Sequence, residues 1–128
     1  MGVEAHGSLL GPLVANALGL GFAEVRKGAR PGSDVDAWLT RPTPQDYQDR
    51  HLEMAIQKFQ VRPGSRVLFV DDWAASGGQA VACKQLTLDA GASWIGAAVI
   101  VDGLESSATR RELNLRALIH RRKLERKL

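Results

Sequence analysis

Residues 67–79 of this 128-residue chain read VLFVDDWAASGGQ and carry its strongest structural signal. The first four residues are all apolar, which is typical of a central strand in a parallel sheet, because helices cover both faces of such a strand. Asp71 and Asp72 end this run, and a turn of small residues follows them. Residues 80–90 then predict a helix that ends at Gly91. The order of strand, acidic pair, small-residue turn and helix predicts an α/β unit.

The rest of the chain contains the elements that complete such a layered fold. In residues 50–60, the spacing of Leu52, Ile56 and Phe59 predicts a helix with one apolar face. Further helices are predicted over 9–18 and 105–113, and strands over 22–26, 94–101 and 115–119. Strands that alternate with helices indicate an α/β fold with a parallel, doubly wound sheet.

The composition indicates a globular protein of a single domain over 1–128. Hydrophobic residues make up 45% of the chain and charged residues 24%, which is ordinary for a folded protein. The single cysteine, Cys83, excludes an internal disulfide and a multi-cysteine zinc site, so we expect a reducing compartment. The longest uninterrupted apolar run, 94–101, is too short to cross a bilayer. We therefore expect a cytoplasmic protein with no membrane partner.

Two segments differ in character from the rest of the chain. Residues 28–50 contain several prolines and aspartates without periodicity, which predicts a flexible loop, and a loop of this length usually serves a function. Residues 109–128 form a basic C-terminal segment, with eight Lys and Arg against two Glu, whereas the whole chain has a net charge of only +3. A basic segment suits polyanions, but we interpret this one as solvated surface and expect no nucleic-acid partner.

The turn after the acidic pair has the chemistry of a site for a phosphorylated sugar. Backbone N–H groups at the start of a helix bind an anion readily when glycines leave the backbone accessible. Two carboxylates at the edge of such a site suit neighbouring hydroxyl groups, or Mg²⁺ held through water, better than the phosphate itself. A phosphate beside two adjacent hydroxyls describes ribose 5-phosphate. We therefore predict a ribose-phosphate site in this part of the chain.

Residues 67–79 resemble the motif with which type I phosphoribosyltransferases bind 5-phosphoribosyl 1-pyrophosphate (PRPP). GVEAHG at 2–7 resembles the pyrophosphate loop of the adenine branch of that family, with His6 where arginine is usual. Asp46-Tyr47 resembles the Glu-Tyr of that branch's catalytic loop. Two further matches to the branch are GFAEVRK at 21–27 and RPG at 30–32. The resemblance covers nearly all of the chain, from Gly2 to about Leu118.

The resemblance implies a role for each matching residue. Asp71 and Asp72 are expected to accept hydrogen bonds from the ribose hydroxyls. The 5-phosphate is expected to bind the turn formed by Ala75, Ser76, Gly77, Gly78 and Gln79. Pyrophosphate is expected to bind Glu4, Ala5, His6, Gly7, Arg26 and Lys27. The catalytic residues are expected to be Asp46 and Tyr47, which close over the reacting centre. Mg²⁺ is expected as the cofactor, held by PRPP, with contacts to the aspartate pair through water alone.

The resemblance also implies an activity, the transfer of the phosphoribosyl group from PRPP to a nucleobase with release of pyrophosphate. The expected base is a purine, as in adenine salvage, and the expected assembly is a homodimer. The alternative is a non-catalytic domain of the same fold that senses PRPP or a nucleotide. The family has an N-terminal hood and a first strand ahead of the pyrophosphate loop, whereas this chain begins at Met1, almost on the loop. We therefore expect a sheet that is short on its N-terminal side.

Overall fold

The computed structural model of the protein describes residues 1–28, 35–45 and 50–126. These residues form seven strands and four α-helices. The strands are β1 (Gly2–Val3), β2 (Glu24–Lys27), β3 (Trp38–Pro42), β4 (Glu53–Gln57), β5 (Arg66–Ala74), β6 (Ser93–Asp102) and β7 (Leu115–His120). The helices are α1 (His6–Leu18), α2 (Gly78–Asp89), α3 (Ser107–Glu112) and α4 (Arg121–Glu125), and single turns of 3-10 helix lie at Val35–Ala37 and Lys58–Gln60.

Five strands form a parallel layer in the order β2-β1-β5-β6-β7. β1 pairs in parallel with β2, with Val3 opposite Val25, and β5, β6 and β7 pair in parallel with one another. β1 also joins β5, because the Met1 ammonium donates to the Leu68 carbonyl and the Val70 N–H donates to the Met1 carbonyl, both at 2.9 Å. The predicted parallel sheet is therefore confirmed.

Helices pack on both faces of this layer. The side chains of β5 alternate between the two faces, so each face presents apolar residues that a helix can cover. Phe69 stacks against Trp94 of β6 with ring centroids 5.9 Å apart, and the Trp94 indole N–H donates to the Leu113 carbonyl after α3. Leu68 and Val70 instead line a groove together with residues of α1. The doubly wound arrangement of an α/β fold is confirmed.

An antiparallel extension corrects the helix predicted over 50–60. β4 lies between β2 and β3 and pairs with both in antiparallel. Its consecutive residues Met54, Ala55 and Ile56 are at most 1% exposed. Leu52 and Phe59, which suggested the helix together with Ile56, are 45% and 76% exposed. A run of consecutive buried residues suits a strand that is covered on both faces, so the helix prediction was wrong.

The 28–50 segment contains a strand, so the prediction of one continuous loop was wrong for β3. This strand pairs along its whole length with β4. The Arg41 guanidinium also binds the Asp89 carboxylate at the end of α2 through two hydrogen bonds of 2.6 and 2.8 Å. Residues 29–34 and 46–49 lie outside the described part of the chain, and with them the RPG match.

A short strand, β1, lies ahead of the loop at residues 4–7, where the sequence analysis expected none. Val3 is only 2% exposed between β2 and β5. A side chain at Gly2 would collide with the Gly7 carbonyl oxygen, so only glycine allows β1 and the start of α1 to approach this closely. Because β1 pairs with β2 on one side and with β5 on the other, the parallel layer is continuous from β2 to β7.

The remaining predicted elements are confirmed. α1 ends at Gly19, which has the left-handed φ of 68° that commonly terminates a helix. The strands predicted over 22–26, 94–101 and 115–119 are β2, β6 and β7, and the helices predicted over 80–90 and 105–113 are α2 and α3. Of the helices in the described residues, none has the length and apolar character needed to cross a membrane.

Candidate functional site

The aspartate pair lies near the carboxyl end of β5, the end at which open parallel sheets bind ligands. The Asp72 N–H donates to Asp71 Oδ1, and the Trp73 N–H donates to Asp72 Oδ1, both at 2.8 Å. The backbone therefore holds one oxygen of each carboxylate in place. This geometry positions both side chains as hydrogen-bond acceptors.

The two carboxylates differ in acidity. Burial is the main cause that raises the pKa of Asp71 to about 6, and its interactions with the Asp72 side chain add to the shift. Burial also acts on Asp72, but hydrogen bonds with Asp71 and His6 outweigh it, so the pKa of Asp72 lies below its usual range. Near neutral pH both groups are ionised, which suits the acceptance of hydrogen bonds from hydroxyl groups.

Residues 75–79, which we call the phosphate turn after the ligand predicted for them, lead from β5 into α2. Gly77 has a left-handed φ of 84°, and the Gly78 N–H donates to Ser76 Oγ at 3.2 Å. A Cβ at Gly77 would lie 3.0 Å from methyl groups of Leu104 and Thr109, so other residues pack closely behind the turn. A cavity of about 130 Å³ lies against the turn. Its lining includes Asp71, Trp73, Ala75, Ser76, Gly77, Gly78 and Gln79.

Residues 4–7, which we call the loop at residues 4–7, lead from β1 into the first turn of α1 beside the aspartate pair. The Lys27 N–H donates to Glu4 Oε1 at 2.7 Å, which fastens the loop to the end of β2. His6 Nδ1 lies 2.8 Å from Asp72 Oδ2, which links the loop to β5. The loop is therefore held between two neighbouring strand ends of the parallel layer.

A cleft of about 340 Å³ joins this loop to the aspartate pair, and we call it the acidic cleft. Its lining includes the predicted site residues Glu4, Ala5, His6, Lys27, Asp71, Asp72 and Gln79. Most residues assigned from the sequence to pyrophosphate and to ribose are thus brought together across one cleft. Gln79 lines both the acidic cleft and the cavity at the turn, so the two spaces adjoin.

Arg26 and Gly7 differ in position from the other predicted pyrophosphate residues. Arg26 Nε lies 3.2 Å from Glu24 Oε1, and Arg26 is absent from the described lining of the acidic cleft. Successive side chains of a strand face opposite sides, which separates Arg26 from Lys27. Gly7 is buried, and a Cβ there would lie 3.3 Å from the Val70 carbonyl oxygen. Gly7 therefore allows α1 to approach β5 closely.

Asp46 and Tyr47, the predicted catalytic residues, lie outside the described residues. Gln45 and Arg50, on either side of the undescribed segment, line a third cavity of about 720 Å³. The same cavity is lined by Ser76, Gly78 and Gln79 of the phosphate turn. The two ends of this segment therefore lie beside the predicted ribose-phosphate site.

Thr43 was missed by the sequence analysis. It is 7% exposed, and its backbone N–H donates to the Leu52 carbonyl at 2.8 Å. Thr43 Oγ1 accepts the Leu52 N–H at 3.0 Å, and its carbonyl lies 2.8 Å from His51 Nδ1. A threonine between two prolines carries no periodic signal, so the sequence did not predict these hydrogen bonds between Thr43 and residues 51 and 52.

A buried ion pair behind the phosphate turn was also missed. Asp102 accepts hydrogen bonds from Arg110 Nε at 2.6 Å and from the Leu104 N–H at 2.9 Å. Leu104 in turn lies against Gly77. The available signal was an aspartate at the end of an apolar strand, the same signal that marked Asp71.

The acidic cleft offers side chains of the kind that could hold Mg²⁺. Glu4, Asp71 and Asp72 supply carboxylate oxygens, the type of donor that Mg²⁺ prefers, and Mg²⁺ commonly keeps several of its waters. In residues 1–28, 35–45 and 50–126, no group of three or more His, Cys, Asp or Glu side chains is placed to hold a metal ion.

Sequence comparison identifies adenine phosphoribosyltransferases as relatives, although no family model matches the chain. The enzyme of a Synechococcus strain is 38% identical over 102 residues, which cover 80% of this chain and 55% of that protein. The enzyme of Rhizobium johnstonii is 33% identical over 120 residues, which cover 93% of this chain and 63% of that protein. The chain thus spans between half and two thirds of the length of these relatives.

Solved structures with a similar fold are also adenine phosphoribosyltransferases. The enzyme of Thermoanaerobacter pseudethanolicus has a TM-score of 0.81 and 27% identity, covering 93% of this chain and 67% of that one. The enzyme of Giardia lamblia, solved in complex with 9-deazaadenine, has a TM-score of 0.75 and 30% identity over the same shares of both chains. On these sequence and structural similarities, this chain belongs to the adenine phosphoribosyltransferase family, within the type I phosphoribosyltransferase fold.

Proposed function

We propose that this protein transfers the 5-phosphoribosyl group of PRPP to adenine, with release of pyrophosphate, in purine salvage. The observation that carries the proposal is that residues 4–6, the aspartate pair and the turn at Ser76 line adjoining spaces at the ends of β1, β2 and β5. The aspartate pair stands between the loop at residues 4–7 and the turn at Ser76. This order matches PRPP, in which a ribose lies between a 5-phosphate and a pyrophosphate.

The phosphate turn and the aspartate pair hold the ribose 5-phosphate in this proposal. The 5-phosphate binds the backbone N–H groups of the turn and the Ser76 hydroxyl, beside the start of α2. Asp71 and Asp72 accept hydrogen bonds from the two ribose hydroxyls. Contacts at both ends of the sugar orient its anomeric carbon toward the attacking base.

The acidic cleft holds the leaving pyrophosphate in this proposal. A base nitrogen attacks the anomeric carbon as the bond to pyrophosphate breaks, so negative charge grows on the leaving group. Lys27, His6 and the backbone of residues 4–7 are placed to bind that charge. Bound Mg²⁺ supplies further positive charge at the pyrophosphate. Asp46 and Tyr47 are proposed to cover the reacting centre and exclude water.

The test is to incubate the protein with PRPP, Mg²⁺ and one purine base at a time, and to measure pyrophosphate and nucleotide. We expect release of pyrophosphate with adenine in preference to guanine or hypoxanthine. Asp72→Asn is expected to lower kcat/KM by about tenfold or more, because a neutral amide accepts a weaker hydrogen bond. Glu125→Gln on α4, also an exposed acid, is the matched control and is expected to leave kcat/KM unchanged.

Two outcomes contradict parts of this proposal. Binding of PRPP without release of pyrophosphate for any base indicates the alternative, a domain that senses PRPP. A lower melting temperature for Asp72→Asn with unchanged affinity indicates that the aspartate pair is structural.

We also propose that the protein is a cytoplasmic homodimer. Leu9 and Leu13 lie one turn apart on α1 and are 70% and 68% exposed, and exposed apolar side chains that lie together mark sites of association. The cysteine Cys83 is free and buried, which suits a reducing compartment.

A further inference from the structure

The two oxygens of the Asp72 carboxylate have different partners. Oδ1 accepts the backbone N–H of Trp73 at 2.8 Å, which orients the carboxylate from within its own strand. Oδ2 contacts His6 Nδ1 at 2.8 Å, across the acidic cleft. Because an ionised carboxylate only accepts hydrogen bonds, His6 Nδ1 is the donor. Asp72 Oδ2 is therefore already engaged by a side chain of the loop at residues 4–7.

The contact between His6 and Asp72 lies at the surface, where it exchanges easily. The side chains are 73% and 43% exposed, and exposed pairs of this kind contribute little to stability. Three other charged groups line the same cleft: Glu4, Asp71 and Lys27. Glu4 is bonded to the Lys27 backbone N–H, and Asp71 to the Asp72 backbone N–H. His6 is therefore the side chain through which the loop at residues 4–7 bonds to the aspartate pair.

A ligand with a ribose hydroxyl and a pyrophosphate changes this arrangement. The hydroxyl needs an acceptor at Asp72, and Oδ2 is the oxygen that the backbone does not hold. Once the hydroxyl donates to Oδ2, the imidazole loses its partner while a pyrophosphate enters the cleft beside it. An imidazole N–H then finds new acceptors on the pyrophosphate oxygens without a change in the number of hydrogen bonds.

We propose that His6 exchanges hydrogen-bond partners, from Asp72 in the free protein to pyrophosphate in the substrate complex. This inference rests on the proposed function, because it takes PRPP as the ligand. In the free protein His6 holds Asp72 against the loop and competes with the ribose hydroxyl. In the complex it binds the leaving pyrophosphate. His6 therefore lowers the affinity for the ribose part of the substrate and raises the affinity for the pyrophosphate part.

The test is calorimetric titration of the full chain with ribose 5-phosphate and with inorganic pyrophosphate, each separately in the presence of Mg²⁺. His6→Ala removes the competitor from Asp72 and a donor from the pyrophosphate. We expect its affinity for ribose 5-phosphate to rise by about threefold and its affinity for pyrophosphate to fall by about threefold, the size of an exposed hydrogen bond. His6→Arg strengthens the contact with both Asp72 and pyrophosphate, so it is expected to show the reverse pattern.

His120→Ala is the matched control, because His120 lies at the end of β7, accepts the Arg122 N–H and is not among the residues described as lining the acidic cleft. Its affinities for both ligands are expected to equal those of the unchanged protein. In the unchanged protein, the His6 ring resonances are expected to shift when ribose 5-phosphate is added, which tests the exchange without a variant.

The two ligands separate failure of this inference from failure of the proposed function. If His6→Ala weakens both ligands, or leaves ribose 5-phosphate binding unchanged, the exchange of partners is wrong and the proposed function stands. If His6 resonances do not move with ribose 5-phosphate although it binds, the exchange is wrong as well. If the unchanged protein binds neither ligand, the proposed function itself is wrong.

Discussion

Asp71 and Asp72 are adjacent in the chain, yet their surroundings give them different ionisation. Burial raises the pKa of Asp71 to about 6, whereas Asp72 lies at the open cleft beside His6 and has a lowered pKa. The pair therefore combines one carboxylate with a lowered pKa and one whose pKa is raised to about 6, and both are ionised near neutral pH.

Asp71→Asn is expected to change stability in a pH-dependent way. The pKa of Asp71 rises from 3.8 to about 6 on folding, so the stability linked to its proton is fully present below 3.8 and is lost as the pH rises through about 6. Asparagine retains an acceptor oxygen and does not ionise. We expect the free energy of unfolding to rise by about 1 kcal/mol near pH 8, after allowance for solvent screening, and to stay unchanged near pH 4. Denaturant titrations at both pH values measure this, and an equal effect at both contradicts it.

Gly77→Ala is expected to damage the phosphate turn more than an ordinary glycine substitution does. Gly77 and Gly64 have similar left-handed φ values, 84° and 81°. A Cβ at Gly77 meets Leu104 and Thr109 at 3.0 Å, whereas a Cβ at Gly64 meets no atom within 4 Å. We expect losses of about 2 kcal/mol for Gly77→Ala and about 1 kcal/mol for Gly64→Ala in the free energy of unfolding.

Binding separates these two glycine variants further. Ribose 5-phosphate affinity, measured by calorimetry, is expected to fall for Gly77→Ala and to remain unchanged for Gly64→Ala. Equal losses of stability and of affinity for the two variants would show that packing behind the turn has no effect.

The helices and strands place the site by bringing their ends together. β5 ends in the aspartate pair, α2 begins at the phosphate turn, and β1 leads into the loop at residues 4–7. The connection from β6 to α3 supports the turn from behind, through Leu104. The Asp102–Arg110 ion pair fixes that connection, because Asp102 also accepts the Leu104 N–H.

Arg110→Met is expected to destabilise the fold more than Arg41→Met does. The Asp102 side chain is 8% exposed, so the loss of Arg110 leaves a buried carboxylate without its cationic partner. Asp89, the partner of Arg41, is 29% exposed and remains hydrated. We expect losses of about 2 kcal/mol for Arg110→Met and under about 1 kcal/mol for Arg41→Met, measured by chemical denaturation. Similar losses for both variants would contradict the buried role of the Asp102 ion pair.

The chain as a single unit combines a parallel layer with an antiparallel extension. β1 connects the two, because it pairs with β2 on one side and with β5 on the other. The extension β2-β4-β3 carries both ends of the segment that contains Asp46 and Tyr47. The proposed catalytic segment is therefore anchored on one part of the sheet and the PRPP motif on the other.

The proposed homodimer predicts that the protein sediments at twice the mass of one chain. Leu13→Glu places a charge among the exposed apolar residues of α1, where Leu13 is 68% exposed. We expect this variant to sediment as a monomer, because an unpaired charge in an apolar interface is strongly unfavourable. Leu88→Glu on α2, where Leu88 is 55% exposed, is the control and is expected to remain dimeric. A monomeric unchanged protein contradicts the dimer.

The predictable part of this protein was encoded in local patterns. The apolar run 67–70, the aspartate pair and the Ser-Gly-Gly turn predicted β5, the start of α2 and the candidate ribose-phosphate site, because each residue type there has a local physical reason. Residues 50–60 were misread as a helix, since spacing alone cannot show which apolar residues are buried. Met54 and Ile56 are buried in β4, whereas Phe59 is exposed.

The order and register of the strands in the folded sheet determine the contacts between residues far apart in the chain. The pairing of His6 with Asp72 and the position of Asp102 behind Gly77 both depend on which strand ends become neighbours. No local pattern carries that information, because such contacts are fixed by strand order and register. The sequence alone thus determined which residue types are available for the chemistry. Only the tertiary structure decided which of these residues contact one another.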